Sequence, residues 1–165
     1  MRTGIGFDIH RLVPSLDSTK IPIGGIGIPC KFVVRAHSDG DVLLHALTDA
    51  LLGAMAMGDI GQWFPDNAEE NKNRPSEHFV RSVVAEISRL GWQVEQVDSI
   101  IFLEEPKLAP FHFEIRQSLA RNLGIELSQV SVKAKTYEGL GAIGERKAIA
   151  AQVVVNLSPI NKSGS

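Results

Sequence analysis

Between Arg2 and His10 the chain alternates. Thr3, Ile5, Phe7 and Ile9 fall on one side, and Arg2, Gly4, Gly6, Asp8 and His10 on the other, the period of two that a pleated strand imposes. The run Ile21-Pro22-Ile23-Gly24-Gly25-Ile26-Gly27-Ile28-Pro29 reads as strand, glycine turn, strand; it lacks the Lys-Ser/Thr pair of a phosphate loop, so a hairpin is the better account. The apolar stretch from Val42 to Met57 predicts a helix, with Ser38 or Asp39 as its N-cap and Gly58 ending it. A second helix is predicted from near Ser76 to Gly91, and a third from Pro110 to Asn122 with Gly124 behind it. Strands fit Trp92–Glu104, Gln129–Tyr137 and Ala148–Leu157. Strands and helices are interspersed without strict alternation. That order predicts an α+β fold, a mixed β-sheet with helices layered on one face. Residues 1–160 read as a single domain, and 161–165 as a frayed C-terminal tail.

Composition narrows the function classes. The chain has 165 residues, 44% hydrophobic and 22% charged, which is enough apolar content for one sizeable core. A net charge of −2 with no basic block argues against nucleic-acid binding. No apolar run reaches the ~20 residues that span a bilayer, and the N-terminus lacks a signal-peptide core, so a cytoplasmic protein is expected. Cys30 is the sole cysteine, so any metal site must be built from imidazole and carboxylate.

Asp8 and His10 share a strand face and lie roughly 7 Å apart along the backbone, close enough to converge on one ion. Asp with His suits a borderline-soft cation such as zinc. In the helix, Asp41, His45 and Asp49 follow one another at intervals of four and make a polar stripe beside Thr48. The stripe is either a solvated face or a metal-bound His45 whose other ring nitrogen is held by a carboxylate. His37 and Ser38 stand at the helix entrance, where unpaired N–H groups favour an anion. Asp59 and Asp66, in a glycine- and aromatic-rich loop, suit hydroxyl binding or plain turn chemistry. The stretch Lys133 to Gly141, with Thr136, Glu138 and two glycines, suits a diphosphate accompanied by a hard cation.

In order along the chain, four blocks resemble the 2-C-methyl-D-erythritol 2,4-cyclodiphosphate synthase family of the non-mevalonate isoprenoid pathway. They are Gly4–His10, Ala36–Asp41 continuing through His45–Gly53, Gly58–Gly61 with Phe64–Asp66, and Pro106-Lys107 with Val132–Ala134. The resemblance implies a homotrimer with active sites between neighbouring subunits. It also implies conversion of 4-diphosphocytidyl-2-C-methyl-D-erythritol 2-phosphate to the cyclic diphosphate, with CMP leaving. On it, Asp8, His10 and His45 would hold one Zn²⁺ per subunit, and Glu138 a second ion, Mg²⁺ or Mn²⁺. His37 and Thr136 would stabilise the transition state. Asp8, His10, His37, Ser38, Asp59, Ile60, Gly61, Phe64, Pro65 and Asp66 would face the methylerythritol and phosphates. Leu103, Lys107, Leu108 and Ala109, with Lys135, Thr136, Tyr137 and Glu138, would serve the cytidine diphosphate arm. No protein nucleophile is required, because the attacking phosphate is already anionic; positioning and charge neutralisation suffice.

Two departures stand out. Relatives often carry Gly-Phe-Xaa-Gly-Arg near the three-fold axis, where isoprenoid diphosphates can bind; here the stretch is Gly141-Ala142-Ile143-Gly144-Glu145, with Arg146 one position late. Asp66-Asn67-Ala68 also lacks a second loop acid seen in some relatives. The rival readings are a metal-dependent phosphohydrolase and a non-catalytic trimeric module that binds metal and isoprenoid diphosphate.

Overall fold

In the computed structural model, residues 1–36, 38–65 and 74–160 are described. Five strands form one sheet: β1 (Arg2–Ile23), β2 (Ile26–Arg35), β3 (Trp92–Phe102), β4 (Val130–Lys135) and β5 (Ala148–Pro159). Their order is β2-β1-β5-β3-β4; only β3 and β4 are parallel, so the sheet is mixed. The helices are α1 (Val42–Ala54), α2 (Ile60–Trp63), α3 (Ser76–Arg89), α4 (His112–Leu123) and α5 (Gly141–Gly144). The three long ones, α1, α3 and α4, share a single hydrophobic core with the inner side of the sheet. The α+β expectation holds. Among the described residues, no helix is long and apolar enough to cross a membrane.

The boundaries differ instructively from the expected ones. The first strand does not stop at His10 but runs to Ile23, with a register shift between Pro14 and Thr19. Proline cannot donate to the ladder, and a bulge absorbs it. The α1 cap is Asp41, not Ser38 or Asp39. Its backbone is extended, and its carboxylate accepts from Leu43 N and Leu44 N. α1 also ends at Ala54, three residues short of Met57. Pro110 lies in a 3₁₀ turn, Ala109–Phe111, ahead of α4. The one-turn helices α2 and α5 are too short to leave a periodic signal.

The sheet's two faces are unlike. Inward on β1 point Gly4, Gly6, Asp8, His10 and Leu12; outward point Thr3, Ile5, Phe7 and Ile9, with Ile5 62%, Phe7 54% and Ile9 49% exposed. The apolar side of the strand is therefore the side away from the helices. On that outer face a small second cluster forms where Ile143 of α5 meets Ala148, Ala150 and Phe102. The tail 161–165 lies outside the described residues.

Candidate functional site

Two glycines bring α1 down onto β1. A Cβ added at Gly6 would lie 1.9 Å from Ala46 O, and one at Gly4 1.9 Å from Ala50 O. Only bare backbone permits so close an approach. The consequence falls one residue before Ala46: His45 is set directly over Asp8 and His10.

Three donor atoms converge there. Asp8 Oδ2 lies 3.1 Å from His10 Nε2 and 3.0 Å from His45 Nδ1, and the two imidazole nitrogens are 3.2 Å apart. Donor atoms held at about 2.0–2.1 Å around a tetrahedral ion stand about 3.3 Å from one another, so the triangle fits such an ion nearly as it stands. These residues form the sole such His/Cys/Asp/Glu group among the described residues. The second Asp8 oxygen is tied down, accepting from Ile9 N at 2.8 Å. All three residues are partly shielded from solvent.

Electrostatics match this arrangement. Burial alone would raise the Asp8 carboxyl, but hydrogen bonds and charge from His10 and His45 outweigh it and hold it far below the usual carboxylate range. Burial would likewise lower the His45 imidazolium; the Asp8 hydrogen bond, with charge from Asp8, Asp41 and Asp39, reverses that and raises it. Without a cation, a proton fills the same role.

The helix stripe is not what sequence periodicity suggested. Asp41 is fully buried, and its carboxylate is spent on backbone amides rather than on the His45 ring. Its Oδ1 accepts from Gly24 N (2.9 Å) as well as the α1 amides, and its Oδ2 from Gly25 N (2.6 Å), so it pins the β1–β2 turn to the helix start. Asp49 accepts from Ile60 N at 2.8 Å and anchors the loop after α1. The groups actually at His45 Nε2 are Ser38 Oγ at 3.0 Å and Ser76 Oγ at 2.8 Å, with Asp39 Oδ1 at 4.0 Å. Ser76 stands at the start of α3, and no local motif pointed to it.

The loop residues lie on the same side. Asp59 caps α2 by accepting from Gln62 N, and Gly61 is exposed in that single turn. The Phe64 ring packs 4.6 Å from Phe79, whose centroid is 6.4 Å from that of His45. Pro65 follows on an exposed stretch. His37 and Asp66 lie outside the described residues.

A second group gathers at the far edge of the sheet. Leu103 N donates to Lys135 O at 2.9 Å, joining the end of β3 to the end of β4. Glu104 Oε1 accepts from Tyr137 N at 2.6 Å and so holds the turn carrying Thr136 and Glu138. Within that turn Thr136 Oγ1 donates to Glu138 Oε1 at 2.9 Å, and Glu138 sits in left-handed backbone at φ +51°. Leu103 and Leu108 are buried, whereas Lys107 and Ala109 are exposed. Since β5 and β3 separate β1 from β4, the Thr136 turn is three strand spacings, about 14 Å, from the Asp8 cluster. Within one chain, then, these are two separate groups. Nearby, Arg146 pairs with Glu105 at 3.1 Å and Lys147 with Glu145 at 2.5 Å.

Residues 1–158 match the YgbB family. The chain is 52% identical over 151 residues to a 2-C-methyl-D-erythritol 2,4-cyclodiphosphate synthase of Treponema denticola, covering 92% of each. It is 48% identical over 159 residues to the enzyme of that name from Pseudomonas entomophila, covering 96% of this chain and 99% of the relative. Its fold superposes on the Plasmodium falciparum IspF CDP complex with a TM-score of 0.85, at 35% identity and 97% coverage of both chains.

Proposed function

The chain belongs to the YgbB family, and from that membership we infer how its residues divide the work of a 2-C-methyl-D-erythritol 2,4-cyclodiphosphate synthase. It is an enzyme that turns 4-diphosphocytidyl-2-C-methyl-D-erythritol 2-phosphate into the 2,4-cyclodiphosphate with release of CMP. The observation that carries the reading is the triangle of Asp8 Oδ2, His10 Nε2 and His45 Nδ1, with sides of 3.0–3.2 Å.

These three residues would hold Zn²⁺, and Glu138 would hold Mg²⁺ or Mn²⁺. When bound, the cations neutralise and align the diphosphate for in-line attack. Everything else is positioning by the chain. Asp59, Ile60, Gly61, Phe64, Pro65 and Asp66 shape the methylerythritol pocket on the β1–α1 side, with Ser38 and His37 at the helix entrance. Leu103, Lys107, Leu108 and Ala109 offer backbone to the cytosine, and Lys135, Thr136 and Tyr137 line the phosphate path. The Thr136 hydroxyl, which at rest donates to Glu138, is placed to donate to the reacting phosphate. The substrate's own 2-phosphate attacks the β-phosphorus, and the bond from that phosphorus to the CMP oxygen breaks.

A homotrimer reconciles the two half-sites. Joining the β1 side of one subunit to the β4 edge of the next completes each site, and the exposed row Ile5, Phe7 and Ile9 supplies an apolar face for the three-fold contact. A cytoplasmic location suits an enzyme that handles phosphorylated intermediates. The deciding experiment supplies the cytidine-linked substrate with zinc and magnesium. Equimolar CMP and cyclic diphosphate are expected; free phosphate with an uncyclised product would establish the phosphohydrolase instead, and metal binding without turnover the non-catalytic module.

A further inference from the structure

The Nε2 side of His45 has a set of partners that the cyclisation chemistry leaves without a role. We propose that Ser76 and Asp39 form a hydroxyl–carboxylate relay that positions His45, fixing which ring nitrogen is presented to the metal.

The direction of each hydrogen bond follows from the far end. Asp39 meets only donors: its Oδ1 accepts from Asp41 N at 3.2 Å and from the Ser76 hydroxyl in a short bond, and its Oδ2 accepts from Ser76 N at 2.8 Å. With its single proton committed to Asp39, the Ser76 hydroxyl can only accept from His45. His45 Nε2, 2.8 Å away and also 3.0 Å from Ser38 Oγ, must then carry a ring proton, so that when a metal displaces the proton Nδ1 shares with Asp8 it is Nδ1 that offers the lone pair. The opposite tautomer would set a lone pair against the Ser76 oxygen and leave Nδ1 without one for the metal. The relay also makes Nδ1 more electron-rich, because the N–H is polarised by a hydroxyl that is itself bound to a carboxylate.

The relay is firmly seated. Ser76 is fully buried, so water does not compete for its hydroxyl. It opens α3, where Pro75 provides no side-chain cap, and Asp39 supplies the missing acceptor from the α1 entrance. Phe79, on the same helix, sets its ring beside His45. The docking of α3 thus orients a ligand carried by α1.

This inference rests on the assignment of Asp8, His10 and His45 as the metal site, and the test separates the two. Zinc affinity is measured by chelator competition on the full-length wild type, His10→Ala, Ser76→Ala, Ser76→Thr, Asp39→Asn and the Ser76→Ala/Asp39→Asn double variant. Cobalt-substituted absorption spectra report the ligand geometry directly. Ser76→Ala should weaken zinc by about 10–100-fold and alter the cobalt spectrum, and Ser76→Thr should restore both. The double variant should lose no more than the worse single one, because the two residues act as a unit. Zinc affinity within threefold of wild type in Ser76→Ala, with an unchanged cobalt spectrum, overturns the relay. Undiminished zinc in His10→Ala overturns the metal assignment instead. Ser76→Ala keeps the backbone N–H that Asp39 caps. Should it still fail to fold, Ser76→Cys, similar in size but a much weaker hydrogen-bonding group, takes its place, with the same losses expected and the same unchanged values overturning the relay.

Discussion

Gly6→Ala is the sharpest test of how the fold builds the metal site. The added Cβ would sit 1.9 Å from Ala46 O and 2.7 Å from Ala50 N, both backbone atoms, so no side chain can swing aside. Cβ contacts shorter than 3.0 Å are essentially never observed, so α1 must lift from β1 by about 1.1 Å. The ligand triangle has sides of only 3.0–3.2 Å. A lift of that size carries His45 Nδ1 from bonding distance to well outside the ±0.2 Å or so that a metal site tolerates. A misplacement of ~1 Å can cost ~10²-fold in rate, and overpacking itself costs about 1–3 kcal/mol of stability. The matched control is Gly53→Ala, on the same helix. Its Cβ meets only Ile5 O, at an ordinary 3.7 Å, and alanine in a helix interior should stabilise by roughly 0.5–1 kcal/mol. Zinc affinity by chelator competition and urea midpoints of both variants provide the readout. Gly6→Ala that binds zinc within threefold of wild type while remaining folded would refute the view that strand glycines set the ligand geometry.

Three further outcomes are expected. Mixing His10→Ala and Thr136→Ala subunits, each inactive alone, should restore about a quarter of wild-type activity after dissociation and reassembly, because random trimers join the two intact half-sites at about one interface in four; no recovery would place each site within one subunit. In chelator-treated protein, Asp8, held below its ordinary 3.8, contributes stability above about that pH and loses it on acidification, whereas His45, raised above 6.5, contributes below about 6.5 and loses it as pH rises through its folded value. The metal-free protein should therefore weaken as pH rises above about 6.5 while zinc affinity climbs over the same interval, since ligands must shed protons; a rise in metal-free stability across that range, read from urea melts, counts against the pairing. Finally, with Arg146 engaged by Glu105 and Lys147 by Glu145, calorimetry should find weak binding of geranyl or farnesyl diphosphate, and an Ala142→Phe, Glu145→Arg double variant should bind more tightly; tight binding by the wild type that is lost in Arg146→Ala would reverse that expectation.

Much of the site was legible because its signals are local. A strand's period of two places Asp8 and His10 on one side whatever the rest of the chain does, and the helix that follows carries His45 in a stretch otherwise almost wholly apolar. Turn and cap chemistry located α3, α4 and the β1–β2 hairpin to within a few residues. Asp41 shows where that reasoning ends. Its spacing from His45 suits a solvated face or a ligand's supporting carboxylate, and the structure makes it neither: it caps α1 and takes the backbone amides of Gly24 and Gly25, brought in by the hairpin.

What only the tertiary structure decided is which surfaces meet. Alternation in β1 defines two faces but not what covers them; α1, drawn in by Gly4 and Gly6, covers the face with the ligands and leaves Ile5, Phe7 and Ile9 outside. Ser76 lies 31 residues from His45, and Glu104 33 from Tyr137. A hydrogen bond between residues so far apart leaves no periodic trace in the chain, because it depends on how whole elements pack rather than on the conformation of any one of them. The same holds for the separation of the Asp8 cluster from the Thr136 turn. The sequence contains both, but their distance was settled when β5 and β3 came to lie between β1 and β4.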